Sequence, residues 1–157
     1  MAAIRRAVRV LLLDDDDRAL LNRTVQPSTG RAFWFPPGGG IEAGEDARAA
    51  AVREVAEETG LRGVALGPEI WRRRHVFTWR ETEHDQRERW FLARVAHFEP
   101  TRDGMTAEEL EDMREWRWWT VAELRATDAE LVPRDLAARL EALLADGPPP
   151  TPVDVGP

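Results

Sequence analysis

Residues 36–61 read PPGGGIEAGEDARAAAVREVAEETGL, and no other stretch restricts the fold of this chain so tightly. Pro36, Pro37 and the three glycines after them cannot continue a helix or a central strand, so the chain must bend there. A second turn signal follows at Ala43-Gly44. Asp46–Thr59, rich in Ala, Glu and Arg, then predicts a helix, with Gly60 where a helix C′ residue belongs. On that helix Glu54, Glu57 and Glu58 are spaced i, i+3, i+4 and project from one face within about a turn. Like charges at i, i+4 and anions in a last helical turn each oppose the helix by roughly a few tenths of a kcal/mol. Arg53, four residues before Glu57, relieves part of this. A hard divalent cation bound by carboxylate oxygens would relieve more. Glu-rich helices are commonly just solvated faces. The adjoining glycines argue otherwise, because they let the backbone approach a ligand and aim carbonyl oxygens at a cation or N–H groups at phosphate.

Composition limits the chemistry further. The 157 residues suit one domain with a real core, and no apolar run approaches the ~20 residues of a membrane-spanning helix. The apolar stretch near the start stops at Leu13 and runs into Asp14–Asp17 without a small-residue cleavage site, so no export signal is read and a cytoplasmic location is expected. With no Cys, a thiolate nucleophile or metal site is ruled out, leaving carboxylates, hydroxyls, His or an oxygen-held metal. All 22 basic residues are Arg, so Lys chemistry such as a Schiff base is also absent. The net charge of −7 argues against long nucleic acid as a partner, although a local cluster could hold a few phosphates.

Along the chain, Arg6–Leu13 and Ala19–Val25 predict a hairpin around the aspartates, and Arg31–Phe35 a short strand. Leu61–Pro68 reads as a connector with a short strand at Val64–Leu66. Glu69–Trp79 and Arg87–Phe98 predict an antiparallel pair. Pro100–Asp112 reads as loop and Glu115–Trp119 as strand. Thr120 is an N-cap for a helix through Arg125, and Pro133 opens another over Arg134–Ala145. Residues 1–146 form the expected domain, and 147–157, with five prolines, a disordered or loosely docked tail. The order of elements points to α+β or a mixed α/β sandwich.

Gly39, five residues, Glu45, seven residues, Arg53-Glu54-Val55, one residue, Glu57-Glu58, one residue, Gly60-Leu61 resembles the Nudix hydrolase box at every defined position. Phe35-Pro36-Pro37-Gly38-Gly39 and Arg117-Trp118-Trp119 followed by Val121-Ala122-Glu123-Leu124 are similar to the family's flanking pattern. The resemblance implies a MutT-like α/β/α sandwich around a mixed sheet. It also implies hydrolysis of a nucleoside diphosphate linked to another moiety, with Mg²⁺ or Mn²⁺ as cofactor. It makes Glu54, Glu57 and Glu58 metal ligands, adds the Gly38 carbonyl, and pairs Arg53 with Glu45. Glu54, Glu57 and Arg53 are accordingly the catalytic candidates. The general base is open among Glu108, Glu109, Glu111, Asp112 and Glu115, with Glu111 favoured.

A diphosphate repels nucleophiles, so cations on its oxygens neutralise charge while a metal-bound water becomes a competent nucleophile. Trp71-Arg72-Arg73-Arg74-His75 is the basic cluster, and on a strand Arg72 and Arg74 share a face that could meet phosphate. Trp34, Trp71 or Trp90 could stack on a base, whereas Trp116, Trp118 and Trp119 read as core. Solvated edge-strand charge is the competing reading of the arginines. A nucleoside triphosphate, a nucleotide sugar and a dinucleotide stay open as small-molecule substrates. A nucleotide-sensing module without catalysis is the alternative function, and an exposed strand edge leaves a homodimer open.

Overall fold

The computed structural model describes residues 2–157. One eight-stranded mixed sheet carries the fold: β1 (Ala3–Leu13), β2 (Ala19–Val25), β3 (Ala32–Phe35), β4 (Gly38–Gly40), β5 (Glu69–Trp79), β6 (Thr82–Arg94), β7 (Met113–Trp119) and β8 (Val153–Asp154). Four helices accompany it: α1 (Ala47–Thr59), α2 (Ala107–Asp112), α3 (Val121–Ala126) and α4 (Leu136–Asp146). β1 is central. It runs parallel to β6 along its whole length, and on its other side is antiparallel to β4 at Ala7–Arg9 and to β2 at Leu13.

Alternation along β1 feeds two cores. Val8, Val10 and Leu12 face α1 with Phe91, while Leu11 and Leu13 face α3 and α4 with Trp71, Trp90 and Leu92. Burial of these side chains contributes about 1.5–3 kcal/mol each. α1 starts where the Asp46 side chain accepts from the Ala49 N–H, and stops at Gly60, whose φ of 84° lets its N–H reach the Ala56 carbonyl. It lays Ala47, Ala50, Ala51 and Val55 on the sheet, so small residues bring the helix close and its acidic side is carried inward beside β4. The result is the expected α/β/α sandwich.

Several boundaries differ from the sequence reading. The three glycines form β4, because residues without side chains can pair against Ala7–Arg9: a Cβ on Gly38 would be 2.9 Å from the Arg9 Cα. β6 begins at Thr82, since Arg80 and Glu81 adopt φ of 48° and 67° and turn the hairpin in two residues without glycine. It ends at Arg94, where β1 also runs out. No strand forms at Val64–Leu66, although Val64 is buried. The segment read as loop contains α2, started by a capping box between Thr106 and Glu109. α4 begins at Leu136, two residues late. The C-terminal segment is not loose at its end: β8 pairs in parallel with Trp71 and Arg72, and Val155 is buried in the α4-side core. Burial of Val155 and the β8 pairing outweigh the flanking prolines.

Beyond β1, buried Asp14 holds the turn to β2. Its carboxylate accepts from the N–H groups of Asp16 and Arg18, and meets Arg18 Nε and His97 Nδ1 at 2.9 Å each. The Asp14 contact raises the His97 pKa above 6.5, with Glu99 assisting. A raised folded-state pKa contributes stability that is complete below about pH 6.5 and is lost as pH rises through the folded value. Denaturant unfolding from pH 6 to pH 9 should therefore show the advantage of the wild type over His97→Gln shrinking with pH. A constant or growing gap would disprove the assignment.

Candidate active site

Arg53 organises the junction of β4 and α1. Its Nε and Nη2 grip both oxygens of Glu45 at 2.8 and 2.9 Å, and Nη2 also donates to the Gly40 carbonyl at 2.9 Å. Nη1 donates to Glu54 at 3.0 Å and to Glu57 at 3.1 Å. One guanidinium thus ties the loop, the strand and two helix carboxylates together. It holds the Glu45 carboxyl down at about 2. Its own pKa is raised, by the Glu45 hydrogen bonds first, so it stays a cation.

Inside this frame Glu54 and Glu58 are buried, 7% and 8% exposed, one helical turn apart. Glu58 accepts the Gly38 N–H at 3.1 Å. Glu109, carried in by α2, completes a group in which one oxygen from each of Glu54, Glu58 and Glu109 lies within 4.8 Å of the others. Thr106 holds Glu109 in place: its N–H donates to Glu109 Oε1 at 2.9 Å. Burial pushes the Glu58 carboxyl well above the usual carboxylate range, against the nearby Arg9 charge. Burial likewise pushes Glu54 up, against Arg53. Two buried carboxylates, with half-buried Glu109 close by, present oxygens that a cation would compensate. Oxygen donors at this separation suit a hard divalent ion such as Mg²⁺ or Mn²⁺.

Gly39 shapes the same place. A Cβ there would sit 2.6 Å from Glu54 Oε2, well inside contact distance, so only glycine leaves the carboxylate its position. Of the three glycines, Gly39 makes room for the acidic cluster, whereas a Cβ on Gly38 would run into Arg9 of β1 and one on Gly40 would be in ordinary contact with Arg5.

The other sequence candidates separate. Glu57 is on the acidic side of α1 but half-exposed, its carboxylate drawn to Arg53 outside the three-oxygen group. Gly38 engages the cluster through its N–H. Glu111 is 71% exposed, approaches Arg80 at 3.8 Å and is outside the three-oxygen group. The α2 acid that does face inward is Glu109. The pattern Thr106-x-x-Glu109 was the available signal, since a capping box fixes where the helix starts and so which side Glu109 takes. Arg80, at the β5–β6 turn, also contacts Glu108 at 3.0 Å and Asp112 at 2.7 Å, holding α2 from outside.

Arg72 and Arg74 do share an exposed face of β5, but they bond Glu69 and Asp85 there. Trp34 is 7% exposed and packs edge-to-face on Trp119 at 5.0 Å within the core, so its ring is not offered to a ligand. Arg73, between the two exposed arginines, points the other way and donates to buried Glu88, which also accepts from Gln86 and Trp90 and pairs with Arg9 at 3.5 Å.

The NUDIX domain family model matches residues 3–140. The RNA pyrophosphohydrolase of Sphingopyxis alaskensis is 32% identical over 131 residues, covering 76% of this chain and 80% of that protein. The RNA pyrophosphohydrolase of Novosphingobium aromaticivorans is 33% identical over 125 residues, covering 73% and 76%. Among solved structures, a MutT protein from Methanosarcina mazei superposes with a TM-score of 0.65 at 20% identity, covering 89% of this chain and 94% of its own. An Ap4A hydrolase from C. elegans does so at 0.63 and 18%, covering 90% and 98%. These two share the fold.

Gly39→Ala should displace the Glu54 carboxylate and weaken Mn²⁺ binding, read by calorimetry, on the order of ten-fold or more. Unchanged affinity in a folded variant would mean that Glu54 is not needed where it stands.

Proposed function

The chain belongs to the Nudix family and is a hydrolase of phosphoanhydride bonds; from that premise we propose that it is a divalent-cation-dependent pyrophosphohydrolase of nucleotides carrying a polyphosphate. The observation that carries this reading is the convergence of buried Glu54 and Glu58 with half-buried Glu109, one oxygen of each within 4.8 Å of the others. Glu54, Glu58 and Glu109 would hold Mg²⁺ or Mn²⁺, with Glu57 at the rim. Bound there, the cation would neutralise phosphate charge and make a water nucleophilic near neutral pH.

The chain's own groups set the stage for that reaction. Arg53 is a positioning residue, acting through Glu45, Glu54 and Glu57 and not on the substrate. The Gly38 N–H fixes one oxygen of Glu58, and the Thr106 N–H fixes one oxygen of Glu109. That leaves the second Glu109 oxygen for a cation or for the proton of the attacking water. Glu109 thereby replaces Glu111 as the favoured base, because a base must reach the water it deprotonates. The relatives' printed activity, RNA pyrophosphohydrolase, supports a 5′-polyphosphorylated RNA end beside the nucleoside triphosphate, nucleotide sugar and dinucleotide classes. A sensing module has no observation in its favour, since the acidic set is complete.

With a panel of these substrates, Glu54→Gln and Glu109→Gln should each lower kcat/KM by about 10²–10⁴-fold at saturating Mg²⁺. Turnover should vanish in excess chelator. Cleavage that persists in chelator, or a fully active Glu54→Gln, would overturn the reading. Glu58→Gln should also lose activity, yet in chelator it should be more stable than the wild type by about 1 kcal/mol, because it removes an uncompensated buried charge and keeps the acceptor for Gly38. A destabilised Glu58→Gln protein under those conditions would argue against a site built for a cation.

A further inference from the structure

α2 brings Glu109 to the acidic cluster, yet little in α2 itself explains the heading of that side chain. Six residues are too few to hold a helix in water without help from the rest of the chain. No apolar side chain of α2 is buried: Asp112 is its buried residue, and Leu110 is 42% exposed. The ends are tethered. Thr101 donates its N–H to the Thr59 carbonyl at 2.9 Å, and Gly104 comes so close to α1 that a Cβ there would stand 2.6 Å from the Glu57 carbonyl oxygen. At the other end buried Met113 opens β7. Tethers of this kind fix the course of a helix more tightly than its rotation about its own axis. Rotation decides the site, because successive helical residues point about 100° apart.

Arg80 supplies the missing constraint. Its guanidinium takes Glu108 at 3.0 Å and Asp112 at 2.7 Å, acids one helical turn apart on the same side of α2, with Glu111 at 3.8 Å. A planar fork that grips i and i+4 together fixes how the helix is turned, and Glu109 follows Glu108 directly. The β5–β6 hairpin that carries Arg80 is held from its other side, where Gln26 Nε2 donates to the Thr78 carbonyl at 2.6 Å. Arg80 and Glu81 adopt left-handed φ of 48° and 67° in a two-residue turn that favours Asn-Gly. A side chain that is costly at such a position persists where its surroundings compensate, and for Arg80 the compensation is α2. Charge works in the same direction. α2 carries Glu108, Glu109, Glu111 and Asp112 among its six residues, and Glu109 adds to the charge felt by Glu54 and Glu58. A cation on the outer side of α2 offsets the repulsion that would otherwise drive it from the cluster.

We propose that Arg80 is a positioning residue of the acidic site: by bridging Glu108 and Asp112 it sets the rotation of α2 and so holds the Glu109 carboxylate at Glu54 and Glu58. This rests on the reading of Glu109 as a cation ligand. The tip of the β5–β6 hairpin is thereby part of the site without supplying a group to it.

The test reads Mn²⁺ affinity of the full chain by calorimetry, with no substrate present. Arg80→Ala should weaken binding on the order of ten-fold, and Glu108→Ala, which removes one end of the bridge, by less. Arg80→Lys keeps the charge but not the fork, and should restore only part of the loss. Glu109→Gln should weaken binding as well. Because Arg80 acts through Glu109, the double variant Arg80→Ala/Glu109→Gln should bind Mn²⁺ no more weakly than Glu109→Gln alone. A general structural loss would instead carry over in full. Should Arg80→Ala fail to fold, the same cycle run with Glu108→Ala decides. Wild-type affinity in both Arg80→Ala and Glu108→Ala, complete recovery in Arg80→Lys, or an additive loss in the double variant would each overturn the proposal and leave the pyrophosphohydrolase reading standing. Wild-type affinity in Glu109→Gln would remove the premise that Glu109 binds the cation, and the proposal with it.

Discussion

The guanidinium of Arg53 stands where three parts of the chain would otherwise have no reason to stay together. The glycine segment has no side chains with which to pack, Glu45 sits in a solvated turn, and Glu54 and Glu57 repel one another on their helix. Arg53 donates to all of them. A planar fork with fixed donor directions does this in a way a flexible ammonium could not. Because the Gly40 carbonyl is one of its acceptors, the glycine strand is held against α1, and the Gly38 N–H is delivered to Glu58. The burial of Glu54 and Glu58 follows from that closure, and so does the electrostatic strain that a cation would release.

What the sequence disclosed and what it withheld divide along the distance over which residues act. α1, its C-terminal Gly60 and the acidic side of the helix were legible because each depends on neighbours within four residues, while Asp46, read as the first helical residue, is its N-cap. The Arg53–Glu45 pair was legible from the family resemblance, and the opposed faces of Arg72/Arg74 and Arg73 followed from the two-residue period of a strand. Glu109 was visible as one acid among several, but its arrival beside Glu54 depends on where α2 begins, and the Thr106–Glu109 box that decides this lies in a polar segment that reads as loop. Trp34 looked like a base platform because an aromatic next to a glycine loop has the same local context whether it faces solvent or core. Only its packing on Trp119, far along the chain, separates the two. The strand at Gly38–Gly40 was hidden for a related reason: triple glycine has poor intrinsic strand tendency, and its pairing is imposed by the narrow space beside β1.

The placement of charge also explains how so acidic and arginine-rich a chain keeps one sheet. Glu88 lies in the middle of it, almost fully buried, and is surrounded by donors from Arg73, Gln86 and Trp90 with Arg9 close by. Burial alone would raise its pKa, but the neighbouring arginine charges and these hydrogen bonds bring it below the ordinary value, so it is an anion in the folded protein. Satisfied in this way, a charge inside a sheet fixes register, since a slip by one residue would turn Glu88 to the opposite face of the sheet and strand its partners. The outward arginines pair with Asp85 and Glu69, and the two sets share strands without sharing a face.

The central position of β1 has a consequence for how the molecule is made. Arg5 and Gln86, bonded across the β1–β6 pairing, are 81 residues apart in sequence, and Ala3–Leu13 has its full-length partner only in β6. During synthesis the apolar segment Val8–Leu13 emerges ahead of β6 and stays without that partner until about 80 further residues have followed it. At roughly 5–20 residues per second this leaves several seconds in which a strand destined for the interior is open to other chains. The acidic run Asp14–Asp17 directly after it places charge beside the exposed strand during that interval. The turn that ends β1 in the native fold thus also guards the nascent one.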